Sequence, residues 1–202
     1  HPCKNYLFII HNLVNGGGGL EHKNSTTLQT DWNGYAGSAY IDFLTLAAHE
    51  YFHLWNVKRM RPKALGPFDY DNENYTNLLF VSEGFTAYYE DLIVFRSGFY
   101  SKEEFLQKVA SSFSYSDNQL GALIQPLNEA SFDAWIKYYR PNENSNNSTV
   151  SYYSKGAAVA GALDMIIRTK TLGKKSLDDV MQVLYQTYFL GYNRGFSDQE
   201  DR

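Results

Sequence analysis

The sequence predicts an α+β fold, predominantly helical, with a small β region at its N-terminal end and a helical part at its C-terminal end. Three observations predict it. Tyr6-Leu-Phe-Ile-Ile10 is a short, apolar, β-prone run that a cluster of glycines interrupts. Beyond residue 39, apolar residues recur at helical spacing over long stretches. Between those stretches fall the serines, glycines and prolines that start and stop helices. At 202 residues, the chain suits one domain with a substantial core.

The elements follow in order. Tyr6 to Ile10 reads as a buried strand, ended by Asn15-Gly16-Gly17-Gly18-Gly19, and residues 20–28 form a second extended stretch. The glycines suit a mobile hairpin connection or a backbone that lets a ligand come close. A first long helix is expected over 40–57, stopping before Pro62. Residues 62–76 are loop, rich in Pro, Gly, Asp and Asn. Leu78, Val81, Phe85, Tyr88, Leu92 and Phe95 then mark one face of a second helix that ends near Gly98. Ser101-Lys-Glu-Glu104 is a capping box that opens a third. Residues 114–150 read as irregular, with a short helix over Ser131 to Tyr139. Two helices close the chain, over 154–170 and 177–190, with Ser176 as N-cap and Gly173 and Gly191 as terminators. Trp55 and Trp135 are expected in the core.

Bulk properties exclude several classes. A net charge of −4 provides no electrostatic footprint for nucleic acid. The basic run Lys58-Arg59-Met60-Arg61 falls just past the first helix, where cations favour the helix dipole. The single cysteine, Cys3, rules out an intrachain disulfide and a cysteine-rich metal site. No segment has the length of a membrane span, and the N-terminus lacks a signal-peptide layout. The chain is expected to be a piece of a longer polypeptide, and neither cytoplasm nor periplasm is favoured. Oligomeric state is not legible.

His49-Glu50-Tyr51-Phe52-His53 is the most informative segment. Histidines four apart on a helix share a face, so both imidazoles can reach one zinc ion, with Glu50 beside them as candidate general base. The plain alternative is a helix carrying two half-buried histidines by accident. A catalytic zinc site takes three protein ligands and leaves one position open. The third could come from His1, His11 or His22 upstream, or from Asp69, Asp71, Glu73, Glu83, Glu90 or Asp91 downstream. Glu83 stands out because it lies inside an otherwise apolar helix, where a carboxylate is costly unless it is paired or binds a metal. A solvent-facing glutamate is the competing reading.

Several stretches together resemble a known family. His49 to Pro62 (His-Glu-Tyr-Phe-His-Leu-Trp-Asn-Val-Lys-Arg-Met-Arg-Pro) is similar to the zinc-helix signature of the glycyl aminopeptidases, zinc peptidases related to thermolysin and aminopeptidase N. Gly18-Gly-Leu-Glu-His-Lys-Asn-Ser25, Val81-Ser-Glu-Gly-Phe-Thr-Ala-Tyr-Tyr-Glu90, Ser131-Phe-Asp-Ala-Trp-Ile-Lys-Tyr-Tyr-Arg-Pro141 and Tyr152-Tyr-Ser-Lys-Gly156 agree in order. The resemblance implies a thermolysin-like zincin catalytic domain over 1–202, with the family's N-terminal β region and PDZ domain outside this chain. It implies one Zn2+ held by His49, His53 and Glu83, with Glu50 as catalytic base and Tyr153 as the oxyanion-stabilising tyrosine. Glu21 would hold the free α-amine of a peptide substrate, and Gly19 and Leu20 would bind substrate beside it. Aminopeptidase N has Met and Asn where this chain has Leu20 and His22, and a shorter interval than the one from His53 to Glu83.

The implied function is removal of small N-terminal residues, Gly or Ala, from peptides by Glu-assisted attack of zinc-activated water. An endopeptidase is the second reading, if Glu21 points elsewhere. A non-catalytic peptide-binding module with a retained metal is the third, and Glu50 argues against it, because a structural site needs no base. Arg140 and Lys155 fit surface pairing better than substrate contact.

Overall fold

The computed structural model describes residues 1–197 as a mixed α/β unit in which a three-stranded sheet covers one side of a helical body. Strands β1 (Leu7–Leu13), β2 (Gly19–Glu21) and β3 (Ser25–Asp31) lie in the order β1-β3-β2. β3 runs parallel to β1, with Leu7 opposite Ser25 and Leu13 opposite Asp31, and antiparallel to β2, with Leu20 opposite Thr27. Thr26, Leu28 and Thr30 of β3 are buried, as the alternation of a half-covered strand requires. The expected extended stretch over 20–28 is thus two strands joined by a turn at residues 22–24.

The β1 burial expectation fails. All seven residues of β1 are exposed, Leu7 at 59% and Phe8 at 42%. An apolar run with β-branched residues shows strand-forming tendency, but whether anything covers it is decided by its neighbours. Here β1 is an edge strand, paired on one side.

The helical body consists of α1 (Gly37–Phe52), α2 (Phe85–Arg96), α3 (Lys102–Asn118), α4 (Leu127–Phe132), α5 (Ser145–Ser148), α6 (Tyr152–Lys170) and α7 (Leu177–Leu184). Its main core gathers Phe52, Phe85, Tyr88, Tyr89, Leu92, Ala160 and Leu177 from α1, α2, α6 and α7 with Met60 from the turns after α1, and Phe52 and Tyr89 are stacked at 4.2 Å. The expected capping box forms, with Ser101 Oγ accepting from the Glu104 N–H, and the Ser176 N-cap proves to be a second box, closed by Asp179. α1 ends at Phe52, five residues earlier than expected, and residues 53–60 continue as successive turns. α3 extends through Asn118 into the segment read as irregular, and the short helix expected over 131–139 stops at Phe132. Past Leu184 the chain widens into a π-type turn over Tyr185–Gly191. No helix among the described residues is long and apolar enough to cross a membrane.

Trp135 is not in the core. It is 53% exposed on the segment after α4, where it stands in the wall of a cleft, whereas Trp55 is half-buried against the main core as expected.

Candidate active site

The last turn of α1 and the start of α2 bring three of the sequence's candidates together. The second helical segment does not begin as a regular α-helix: Phe80–Gly84 forms a widened, π-type turn, and Glu83 sits in it. The turn is held from two sides. The Phe80 N–H donates to Ser131 Oγ of α4 at 3.1 Å, and Asn56 Nδ2 donates to the Val81 and Ser82 carbonyls at 2.9 and 3.1 Å. Asn56 is 1% exposed, and its carbonyl accepts from His53 Nδ1 at 2.6 Å. One buried asparagine therefore fixes both the orientation of His53 and the backbone that carries Glu83.

The other ring is oriented in the same way. His49 Nδ1 donates to Glu90 Oε2 at 2.5 Å, so both histidines direct Nε2 to the same place. Glu83 Oε2 lies there, 3.2 Å from His49 Nε2 and 3.4 Å from His53 Nε2. Among the described residues these three side chains form a group whose donor atoms all lie within 4.8 Å of one another. A tetrahedral metal shell with bonds of about 2.0–2.1 Å places neighbouring donors about 3.3 Å apart, so the set has the spacing of a coordination sphere. The two outer partners, Glu90 and the Asn56 carbonyl, are of the kind that orient ligating imidazoles. The residues fit a divalent transition-metal ion.

The charges point the same way. Burial pushes the His49 imidazole down, but hydrogen bonds to Glu83 and Glu90 more than reverse this and raise its pKa to about 10. Burial likewise works against protonated His53, and the Glu83 charge overrides it. Burial would raise the Glu83 carboxyl, yet His53 and His49 hold it well below the usual carboxylate range. Two carboxylates thus draw positive charge onto this spot, and protons supply it when no cation does.

Glu50 is 5% exposed, and its Oε2 has no hydrogen-bond partner. Burial pushes its carboxyl up to about 7, against the lowering effect of His53 and His49. β2 passes directly over it: a Cβ on Gly19 would lie 2.5 Å from Glu50 Cγ and 2.6 Å from Oε1. Only a glycine lets the strand come so close. The fourth glycine of the cluster thus accommodates the Glu50 side chain, a role that neither a mobile connection nor ligand approach describes.

Glu21, two residues on, has a carboxylate oxygen within 4.8 Å of donor atoms of Glu50 and His53. It is not free, because Lys58 Nζ lies 3.0 Å from its Oε1. The basic run after α1 does not serve mainly as dipole compensation. Lys58 pairs with Glu21, and buried Arg59 donates to the Lys23 and Leu54 carbonyls at 3.1 and 2.7 Å, tying the β2–β3 turn to the end of the motif. Leu20 is exposed at the rim.

Tyr153 occupies the first turn of α6, with its ring centre 6.2 Å from that of His49. Burial, followed by the Glu83 charge, raises its pKa, so the phenol keeps its proton as a donor. The placement depends on a backbone contact. Gly84 and Gly156 face each other so closely that a Cβ on Gly156 would lie 2.9 Å from both Gly84 Cα and the Phe80 carbonyl oxygen. The glycines that follow Glu83 and Tyr153 in their motifs let α6 pack flat on the turn that carries Glu83.

Glu83, Glu21 and Tyr153 line a cleft of about 900 Å3, walled also by Leu20, Phe68, Trp135 and Tyr139 among others. Asp69, Asp71 and Glu73 also line it, but they do not join the histidines, nor do His1, His11, His22 or Asp91 among the described residues. Lys155 binds the Ala122 carbonyl at 2.8 Å, and Arg140 is exposed. Sequence reasoning did not assign Asn56, and it weighed Glu90 as a ligand, not as a ligand's partner. Glu90 lies seven residues after Glu83, two turns along the same helix face, which is the signal available for it.

Comparison with known proteins agrees with this architecture. The family model for M61 glycyl aminopeptidase matches residues 42–159, a span containing His49, Glu50, His53, Glu83 and Tyr153. A solved structure of an aminopeptidase N family protein from Idiomarina loihiensis is 37% identical in sequence with a TM-score of 0.92, over 98% of this chain and 35% of that one. This chain therefore spans about a third of the length of that relative. No curated protein matches it. With more than half of its residues in the matched span, the chain belongs to the M61 glycyl aminopeptidase family.

Proposed function

We propose that residues 1–202 form the catalytic domain of a zinc aminopeptidase with a thermolysin-like site, acting on peptides with small N-terminal residues such as Gly or Ala. The observation that carries the reading is the convergence of His49 Nε2 and His53 Nε2 on one Glu83 oxygen at 3.2 and 3.4 Å, beside a buried Glu50 oxygen with no partner. His49, His53 and Glu83 would hold the ion. Zinc supplies Lewis acidity there, making water more acidic and polarising the scissile carbonyl.

The chain's own groups perform the rest. Glu50, poised near neutrality by burial, takes the proton of the attacking water and delivers it to the leaving amine. Tyr153 donates its phenolic hydrogen to the carbonyl oxygen as that oxygen gains negative charge. β2 lies at the sheet edge with the Leu20 backbone turned to β3, so Gly19 offers backbone to an extended substrate, Leu20 offers its exposed side chain, and Glu21 pairs with the protonated amino terminus. Glu50 also weighs against a purely structural or peptide-binding role, because a buried acid without a partner is costly unless it is used.

The Glu21–Lys58 pair favours one second reading. If Lys58 keeps Glu21 occupied when substrate binds, nothing selects for a free amine and the site would cleave internal bonds. Purified protein settles both points. The proposal expects one zinc per chain, loss of Gly- and Ala-peptide hydrolysis on treatment with 1,10-phenanthroline, and recovery with Zn2+. Activity that survives complete metal removal would defeat the zinc reading, and equal hydrolysis of free and N-acetylated peptides would favour the endopeptidase.

A further inference from the structure

Lys58 is a charged group inside the cleft that the hydrolysis just described does not use. Its Nζ lies 3.0 Å from Glu21 Oε1, with the two side chains 19% and 18% exposed. The ammonium also sits over the Phe68 ring, 5.6 Å from its centre, so the cleft wall fixes it from a second side. Lys58 is not alone in tying the hairpin to the helical end, because Arg59 also does this through the Lys23 and Leu54 carbonyls. The Lys58 side chain also neutralises the one carboxylate that, among the described residues, lies beside Glu50 and His53 outside the proposed metal ligands.

We propose that Lys58 is a specificity-determining residue that sets how strongly the cleft takes a free α-ammonium, by neutralising Glu21 in the empty cleft and competing with the substrate's amino terminus for that carboxylate. The inference rests on the reading of Glu21 as the amine anchor. A carboxylate has lone pairs enough for two donors, so Lys58 on one oxygen leaves the other for substrate, but two ammonium groups on one carboxylate repel. Lys58 therefore weakens amine binding without abolishing it. The released amino acid, which carries the same ammonium, leaves more readily for the same reason.

The test compares wild type, Lys58→Met and Lys58→Arg on Gly-Phe and N-acetyl-Gly-Phe. In parallel, the binding of glycinamide and N-acetylglycinamide is measured by calorimetry. Lys58→Met keeps an unbranched side chain one atom shorter and removes its charge. It should lower KM for Gly-Phe and tighten glycinamide binding by about 3- to 10-fold, raising the preference for free over acetylated ligand by the same factor, while Lys58→Arg restores the wild-type preference. A preference that stays the same or falls in Lys58→Met overturns the proposal, provided thermal melting shows the variant folded. Glu21→Gln separates the two levels. If it erases the preference while Lys58→Met leaves it unchanged, Lys58 alone is misassigned. If Glu21→Gln keeps the preference, the anchor reading fails and the role of Lys58 with it.

Discussion

The contact between Gly84 and Gly156 makes a sharp prediction, because it joins the two halves of the site through backbone alone. An alanine at 156 would place its Cβ 2.9 Å from Gly84 Cα, 2.9 Å from the Phe80 carbonyl oxygen and 3.3 Å from Phe80 Cβ. Carbon atoms pack best about 3.5–4.0 Å apart, so α6 and the Phe80–Gly84 turn must separate by about 0.5–1 Å. The turn is pinned by Asn56 and Ser131, so α6 is the part that moves, and it takes Tyr153 with it. A misplacement of this size costs up to about 100-fold in rate, so kcat should fall about 10- to 100-fold with little change in KM. Overpacking costs about 1–3 kcal/mol, partly offset by the roughly 1 kcal/mol by which alanine favours a helix over glycine, so the protein stays folded. Steady-state kinetics on an N-terminal glycyl peptide, with zinc content measured on the same samples, gives the first readout. The second is a double-mutant cycle with Tyr153→Phe, which alone should cost about 100- to 1000-fold in kcat. If Gly156 acts by placing Tyr153, the double variant is barely slower than Tyr153→Phe. Full multiplication of the two losses, or an undiminished kcat in Gly156→Ala, refutes the argument.

Three further outcomes are expected. Glu50→Gln should retain zinc and lose about 100- to 10,000-fold in kcat, and a drop in metal content of the same size would show that Glu50 supports the ion and not the proton transfer. Glu90→Gln removes the charged partner of His49 Nδ1 and should weaken zinc binding about 10- to 100-fold in competition with a chelating dye, with unchanged affinity ruling out the orienting role. Asp91 gives a pH signature away from the histidines. Burial, then the Glu90 charge, pushes its carboxyl up to about 6, so the folded chain holds that proton more tightly than the unfolded one. The stability this provides is full below about pH 4 and is lost as pH rises through 6. Asp91→Asn should therefore be more stable than wild type by about 1–2 kcal/mol at pH 8, allowing for partial exposure, with the gap closing towards pH 4. A gap that does not depend on pH, read from thermal melts, contradicts this.

What was legible in the sequence was whatever is settled within a turn or two of chain. Histidines at i and i+4 must share a helix face, Ser101 and Ser176 find their capping partners three residues on, and Glu83 is conspicuous as a carboxylate in an apolar helix. The bringing together of Glu83 with the histidines could be stated from the sequence only as one choice among several carboxylates. The reason for it lies in Asn56, which reaches across 25 residues to the Val81 carbonyl. The early end of α1 was not legible, because the chain after Phe52 is shaped by these distant partners and not by a Pro or Gly. The exposure of β1 and Trp135 escaped for a related reason: apolar composition shows what a segment can bury, and tertiary neighbours decide whether it does. Lys58 and Arg59 looked like a generic basic run because nothing local distinguishes two cations with different, specific acceptors.

The tie made by Arg59 has a mechanical consequence. Arg59, 6% exposed, bridges the hairpin turn at Lys23 and the helical end at Leu54 through its guanidinium, so lifting the hairpin would strip a shielded charge of the Lys23 acceptor. The roof over Glu50 is thereby riveted to its floor, and the two flex as one plate. On the proposed function, a peptide would enter from the side bordered by the Phe68–Asn74 loop, whose hydrogen bonds are local to the loop. Amide protons of β2 and β3 should accordingly exchange with solvent far more slowly than those of that loop.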